Sequence, residues 1–205
     1  FSKEQLLAGG SYIFKFDANG IPLVQGHIHD MDGEYFYNPQ AIGQFGLALY
    51  HEYLKNGDTQ SLERFIKISD WLVNNVSYNK GIAYWEEQKK GFVYGEDKIH
   101  KVSSMSQSRA ISLLLRAYQE TSKKDYIKIV EDALPAFKKS PSEGGFLVDY
   151  DTGIFFEEKG QPRILNHFIF TIFGLYDYCR FKDFDTEYQN LFMDSISSVK
   201  KIIPN

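Results

Sequence analysis

The stretch "NPQAIGQFGLALYHEYLK" (Asn38–Lys55) places apolar side chains at Ile42, Phe45, Leu49, Tyr50 and Tyr53. That spacing is the 3.6-residue period of a helix with one buried stripe. Asn38 before Pro39 supplies an N-cap followed by proline at the first helical position. After "NGD" a second helix is predicted from about Ser61 to Val76, with Leu62, Phe65, Ile66, Trp71 and Leu72 as its stripe. The Gly-punctuated run "KGIAYWEEQKKGFVYG" (Lys80–Gly95) then reads as a short hairpin or extended loop.

The same order returns downstream. "SMSQSRAISLLLRAYQET" (Ser104–Thr121) predicts a helix, Asp125–Lys138 its partner, and "GGFLVDYDTGIFFEE" a hairpin turning at Asp151–Gly153. A third round follows, with "ILNHFIFTIFGLYDYCRF" and "TEYQNLFMDSISSVKKII" as its two helices. Tyr50, Tyr118 and Tyr178 take comparable places in the three first helices. The hairpins end alike, in "YWEE" (Tyr84–Glu87) and "FFEE" (Phe155–Glu158). One helix pair cannot cover its own apolar face, so such units stack. The expected fold is mainly α: an incomplete (α/α) toroid of helix hairpins with short β-hairpins between the pairs. Residues 1–36 are expected to form an N-terminal extended or hairpin segment and residues 37–205 the toroid domain.

Composition narrows the function classes. A chain of 205 residues with 43% hydrophobic and 24% charged content is long and apolar enough for a packed core. A net charge of −4 without a long basic run argues against nucleic acid as a partner. No apolar run approaches the ~18 residues of a membrane span. The lone Cys179 excludes an internal disulfide framework and a cysteine-based zinc site, so the compartment stays open. The chain starts at Phe1, and a targeting segment upstream would not be visible in it. P-loop, GxSxG and dinucleotide fingerprints are all missing from the sequence. "HIHD" (His27–Asp30) has metal-like residue types, but His-x-His alone is a weak pattern, and no metal or cofactor is expected. His51, mid-helix, reads as structural.

Functional groups gather at two loop-to-helix junctions. "HKVSSMSQSR" (His100–Arg109) offers Ser103, Ser104, Gln107 and Arg109. "FFEEKGQPRILNH" (Phe155–His167) offers Glu157, Glu158, Arg163 and Asn166. Loops on a rigid scaffold commonly carry binding and catalysis. Plainer readings stand beside these: a solvated acidic turn at Glu157–Glu158, a helix cap at Ser103 or Ser104, and a structural ion pair at Arg109. Asn166, on an otherwise apolar helix, reads as a buried amide that needs partners, either within the core or on a ligand.

"YNPQAIGQFGLALY" (Tyr37–Tyr50), "SSMSQSRAISLLLRAY" (Ser103–Tyr118) and "FFEE…RILNHFIFTIFGLYDY" (Phe155–Tyr178) together resemble the D-glucuronyl C5-epimerase family. Those enzymes convert glucuronate to iduronate within heparan-type polysaccharides. The corresponding family runs have the form YNP…IAQ…GL, SSMAQG-x-AIS and EEYP…VLNGF…GLYDL, in the same order. The resemblance implies an incomplete (α/α) toroid domain, an acidic polysaccharide as partner, and a polysaccharide-processing compartment or cell envelope as location. A homodimer stays open. It implies that Glu158 matches the second acid of EEYP and that Asn166 is a substrate contact. Tyr37, Asn38, Gln44, Ser104, Gln107 and Arg109 join Asn166 as candidate substrate-binding residues.

Proton removal at C5 needs a base and groups that stabilise the enediolate-like charge. Glu158, with Lys159 as the alternative, is the acid–base candidate, and Arg163 the partner of the sugar carboxylate. Lys159 stands where the family has tyrosine and His167 where it has a small residue. The family's remaining catalytic tyrosines and an arginine are expected beyond Asn205. A uronate lyase or hydrolase, and a non-catalytic glycan-binding module, are the competing readings.

Overall fold

The computed structural model describes residues 15–25, 35–87, 102–157 and 163–203. Strands β1 (Lys15–Phe16), β2 (Pro22–Gln25) and β3 (Tyr35–Phe36) form an antiparallel sheet in that order. Helices then follow in pairs: α1 (Pro39–Asn56) and α2 (Thr59–Asn74), α3 (Ser104–Thr121) and α4 (Lys124–Ala133), α5 (Leu165–Phe181) and α6 (Gln189–Ile202). Between the pairs lie two hairpins, β4 (Ser77–Asn79) with β5 (Ile82–Tyr84), and β6 (Leu147–Tyr150) with β7 (Gly153–Phe156). The fold is mainly α, with short antiparallel strand pairs, as the repeat predicts.

Local chemistry explains most boundaries. Asn38 caps α1, its side chain accepting from the Ala41 N–H at 3.0 Å, and Gly57 closes it in the left-handed region. Ser103 caps α3 and accepts from the Ser106 N–H at 3.4 Å, which settles the choice between the two serines. Three expectations shift. The second helix runs Thr59–Asn74 rather than Ser61–Val76, because the chain turns into β4 at Ser77. The first hairpin therefore starts earlier than Lys80. Its turn is Lys80–Gly81, both residues left-handed at φ 52° and 80°, as a type I′ turn requires. The helix expected over Asp125–Lys138 is α-helical only to Ala133. Pro135 has no N–H to donate, and Leu134–Lys138 tightens into a 3₁₀ turn.

Contacts between the first helices of each pair advance in step. Gly43 lies beside Arg109, Gly46 beside Leu113, and the Tyr50 hydroxyl donates to Glu120 at 2.8 Å. On the other side, Thr171 donates to Ser104 at 3.0 Å, the Gly174 N–H to Ser108 at 2.9 Å, and Arg116 pairs with Asp177 at 2.7 Å. Helices α1, α3 and α5 are therefore parallel neighbours with α3 in the middle. Within a pair the direction reverses: Tyr37 stacks near Trp71, and Tyr50 near Phe65. Helices α2 and α4 pack against α3 as a second layer.

Helix α3 is buried along most of its length, its Ser-rich first turns as well as the Ile111–Leu115 apolar run. Small residues make that possible. A Cβ on Gly174 would run into Ser108, and one on Gly46 into Leu113, so the backbones approach closely where those glycines stand. The equivalent hairpin endings are also equivalent in packing. Trp85 and Phe156 are both fully buried, Trp85 donating its indole N–H to the Leu72 carbonyl at 2.8 Å. Phe155 stacks on Phe168 with centroids 4.2 Å apart, which seats the second hairpin on α5. Ile21 shares the same core as the helices, so the N-terminal sheet packs on the first pair rather than standing apart.

Candidate functional site

The parallel arrangement sets the start of α3 beside the first turns of α1 and the second turn of α5. Their outward stripes carry Gln40 and Gln44 on α1, Arg109 on α3, and Asn166 and Phe170 on α5. Nη1 of Arg109 is 3.4 Å from the Gln40 carbonyl, and its guanidinium lies 4.5 Å from the Phe170 ring centre. Gln44 and Asn166 are exposed. Of the expected substrate residues, Arg109 meets both helices in the strip between α1 and α5, here the trough, and Gln44 and Asn166 stand exposed one helical turn from its contacts Gln40 and Phe170. Asn166 is not the buried amide that its apolar surroundings suggest. It faces solvent, and its Oδ1 accepts from the His167 N–H at 3.0 Å. The apolar run around it covers the other faces of α5.

The remaining residues named from the sequence hold the scaffold. Tyr37 donates to Asp17 at 2.8 Å, tying the N-terminal sheet to α1, and this bond raises its pKa. Asn38 is spent on the α1 cap. Ser104 is fully buried and accepts from Thr171. Gln107 is fully buried, and its Nε2 donates to the Ala83 carbonyl at 2.6 Å and the Ala133 carbonyl at 3.2 Å. It lies on the α4 side of α3, away from the trough. His51 is exposed on α1 rather than packed inside the structure. Glu158 and Lys159 lie outside the described residues, as do His27–Asp30 and His100. Among the described residues no group of three or more His, Cys, Asp or Glu is set for a metal ion.

Beside α5 a second cluster forms at the end of the hairpin. Glu157 is 9% exposed and is no solvated turn residue. Its Oε1 accepts from the Tyr150 hydroxyl at 2.6 Å and from the Arg163 N–H at 2.9 Å. The bond to Glu157 is the main reason the Tyr150 pKa is raised. The Arg163 guanidinium lies 4.0 Å from the Tyr150 ring centre. Arg163 has φ 56°, a left-handed conformation that costs a non-glycine residue about 1–2 kcal/mol. The N–H bond to the buried carboxylate offsets that cost and aims the side chain across the tyrosine. Tyr150, Arg163 and Leu165, with Thr152, Ser198 and Ile202, line a cavity of about 140 Å³ between the hairpin and α6. Sequence reasoning offered Glu157 only as one of two adjacent acids and passed over Tyr150. The cross-strand geometry of β6 and β7 unites them, and the only signal in the sequence was the shared "EE" ending.

A family model described as D-glucuronyl C5-epimerase C-terminus matches residues 85–205, more than half of the chain. The chain belongs to the D-glucuronyl C5-epimerase family. Its family-matched region opens at Trp85 and takes in α3 to α6, both loop-to-helix junctions and the Tyr150–Glu157–Arg163 cluster. A D-glucuronyl C5-epimerase of Caenorhabditis elegans is 28% identical over 165 residues, covering 71% of this chain and 26% of the relative. This epimerase-family chain thus spans about a quarter of the length of that relative. No helix among the described residues is long and apolar enough to cross a membrane.

Proposed function

We propose that this chain carries part of the active site of an enzyme that inverts C5 of D-glucuronate residues in an acidic polysaccharide, giving L-iduronate. Membership of the epimerase family supports the reaction class. The observation that carries the reading to this site is the buried Glu157, held by Tyr150 and by the Arg163 backbone where the hairpin hands over to α5. A base takes the C5 proton, and the electron pair left behind spreads into the sugar carboxylate. Arg163, with its guanidinium exposed beside Tyr150, is placed to pair with that carboxylate as charge builds on it. A donor on the opposite face returns a proton to C5 and inverts the centre. Glu158 is the acid–base group, with Lys159 as its alternative. Glu157, their neighbour in the chain, holds Tyr150 and the Arg163 backbone in place. Gln44, Arg109 and Asn166 hold the neighbouring sugars in the trough.

Proton exchange tests this directly. Incubation with a heparosan-like oligosaccharide in D₂O is expected to replace the C5 proton by deuterium, read as loss of the C5–H signal by NMR. Glu157→Gln is expected to slow exchange by about 10²-fold or more through loss of positioning. Binding without exchange would leave a glycan-binding module instead. An unsaturated product absorbing in the ultraviolet would mean a lyase.

A further inference from the structure

Arg109 is in an unusual position for a cation. It stands on the second turn of α3, with α1 on one side and α5 on the other. A methyl on Gly43 of α1 would lie 3.0 Å from its Cβ, so the arginine stem is clamped against that helix. Its Nε is buried without a hydrogen-bond partner, and Nη1 has only the long 3.4 Å contact to the Gln40 carbonyl. Arg116, two turns along the same face, is paired with Asp177. No such carboxylate meets Arg109 among the described residues. Phe170 gives it a ring face, which attracts a cation but accepts no N–H bond. Burial accordingly pulls its pKa down to about 10.

A guanidinium offers five N–H donors in a planar fork, matched to a carboxylate. Leaving the Nε–H buried and unpaired is unfavourable, and an incoming anion removes that penalty. The flanks of the position are suited to a sugar, with Phe170 as an apolar face and the exposed amides of Gln44 and Asn166 one helical turn away. We propose that Arg109 is the specificity-determining anchor for a uronate carboxylate, received between Gln40 of α1 and Phe170 of α5. The inference rests on the acidic-polysaccharide part of the reading above and not on the C5 chemistry.

Calorimetric titration tests it with two probes: a glucuronate-containing hexasaccharide and the same oligosaccharide with its carboxyls reduced to alcohols. The 205-residue chain is expected to prefer the first by at least tenfold. Arg109→Gln is expected to bring the two within about twofold, and Arg109→Lys to retain part of the preference. In the unsubstituted chain, the Arg109 Nε–H resonance is expected to shift with the carboxylated probe alone, a readout that needs no variant to fold. Equal binding of both probes, an unmoved Nε–H signal, or full discrimination by a folded Arg109→Gln variant would each overturn the inference. C5 exchange separates the two claims. Exchange that is indifferent to Arg109 sinks the anchor and keeps the epimerase, whereas carboxylate-dependent binding through Arg109 without exchange does the reverse.

Discussion

Gln107 sits at a point where two rounds of the chain meet, its amide donating to the Ala83 carbonyl of the first hairpin and the Ala133 carbonyl at the end of α4. Both bonds are buried, so neither carbonyl has water to fall back on. Replacing Gln107 with Leu is expected to destabilise the fold by about 1–3 kcal/mol, the cost of leaving buried groups unmade, while glycan affinity stays unchanged. Urea unfolding read beside calorimetric titration checks both halves. Lost affinity at unchanged stability would return Gln107 to the ligand. Arg109, two residues further along the helix, faces the other way. A rotation of 200° separates the two side chains on α3, enough to place one in the core and the other in the trough.

At the scale of elements, the spacing of the parallel helices depends on small residues. An added Cβ at Gly174 would come within 2.8 Å of both the Cα and the carbonyl oxygen of Ser108, backbone atoms that cannot turn aside. At Gly46 the obstacles are the tip of Leu113 and, at 3.1 Å, Cγ2 of Ile68, side-chain atoms that can rotate. Overpacking costs about 1–3 kcal/mol, against roughly 1 kcal/mol of helix propensity returned on going from Gly to Ala. Gly174→Ala is therefore expected to be clearly destabilising and Gly46→Ala close to neutral. Denaturant midpoints of the two variants decide it. Equal losses would mean that α5 lifts off α3 as easily as Leu113 rotates.

Across the whole molecule, tyrosine hydroxyls donate to acids on neighbouring elements: Tyr50 to Glu120, Tyr126 to Asp70 and Tyr78 to Asp132. Burial, then the bond to Glu120, pushes Tyr50 up to about 12, and burial with the bond to Asp70 raises Tyr126 further. The folded chain therefore keeps protons that the unfolded chain releases from the ordinary tyrosine value of 10.0 upward. With fewer protons bound in the unfolded state, stability falls as pH rises. The tyrosine contribution is expected to be complete below about pH 10 and to fade between there and about pH 12. Melting temperatures from pH 8 to 12.5, beside an ultraviolet titration of the tyrosines, test this, and a flat curve to pH 12 would refute it. Tyr50→Phe is expected to lower stability at neutral pH and to flatten the alkaline decline.

The amino-acid sequence by itself determined the three helix pairs, their order and the hairpins between them, because caps, periodicity and turn residues act within a few positions of each other. Asn38–Pro39 and Gly57 set the ends of α1 without help from the rest of the chain. The resemblance in three ordered runs likewise pointed to the family that residues 85–205 match. Which polar side chains serve the site was decided only by the tertiary structure. Asn166 and Gln107 occupy similar early positions on the first helices of their pairs, yet α4 and the first hairpin cover Gln107 while Asn166 stays open. Glu157 acquired its partners through the β6–β7 pairing and the left-handed turn at Arg163. Neighbours distant in sequence settle burial and partnership, and a local pattern carries no record of them.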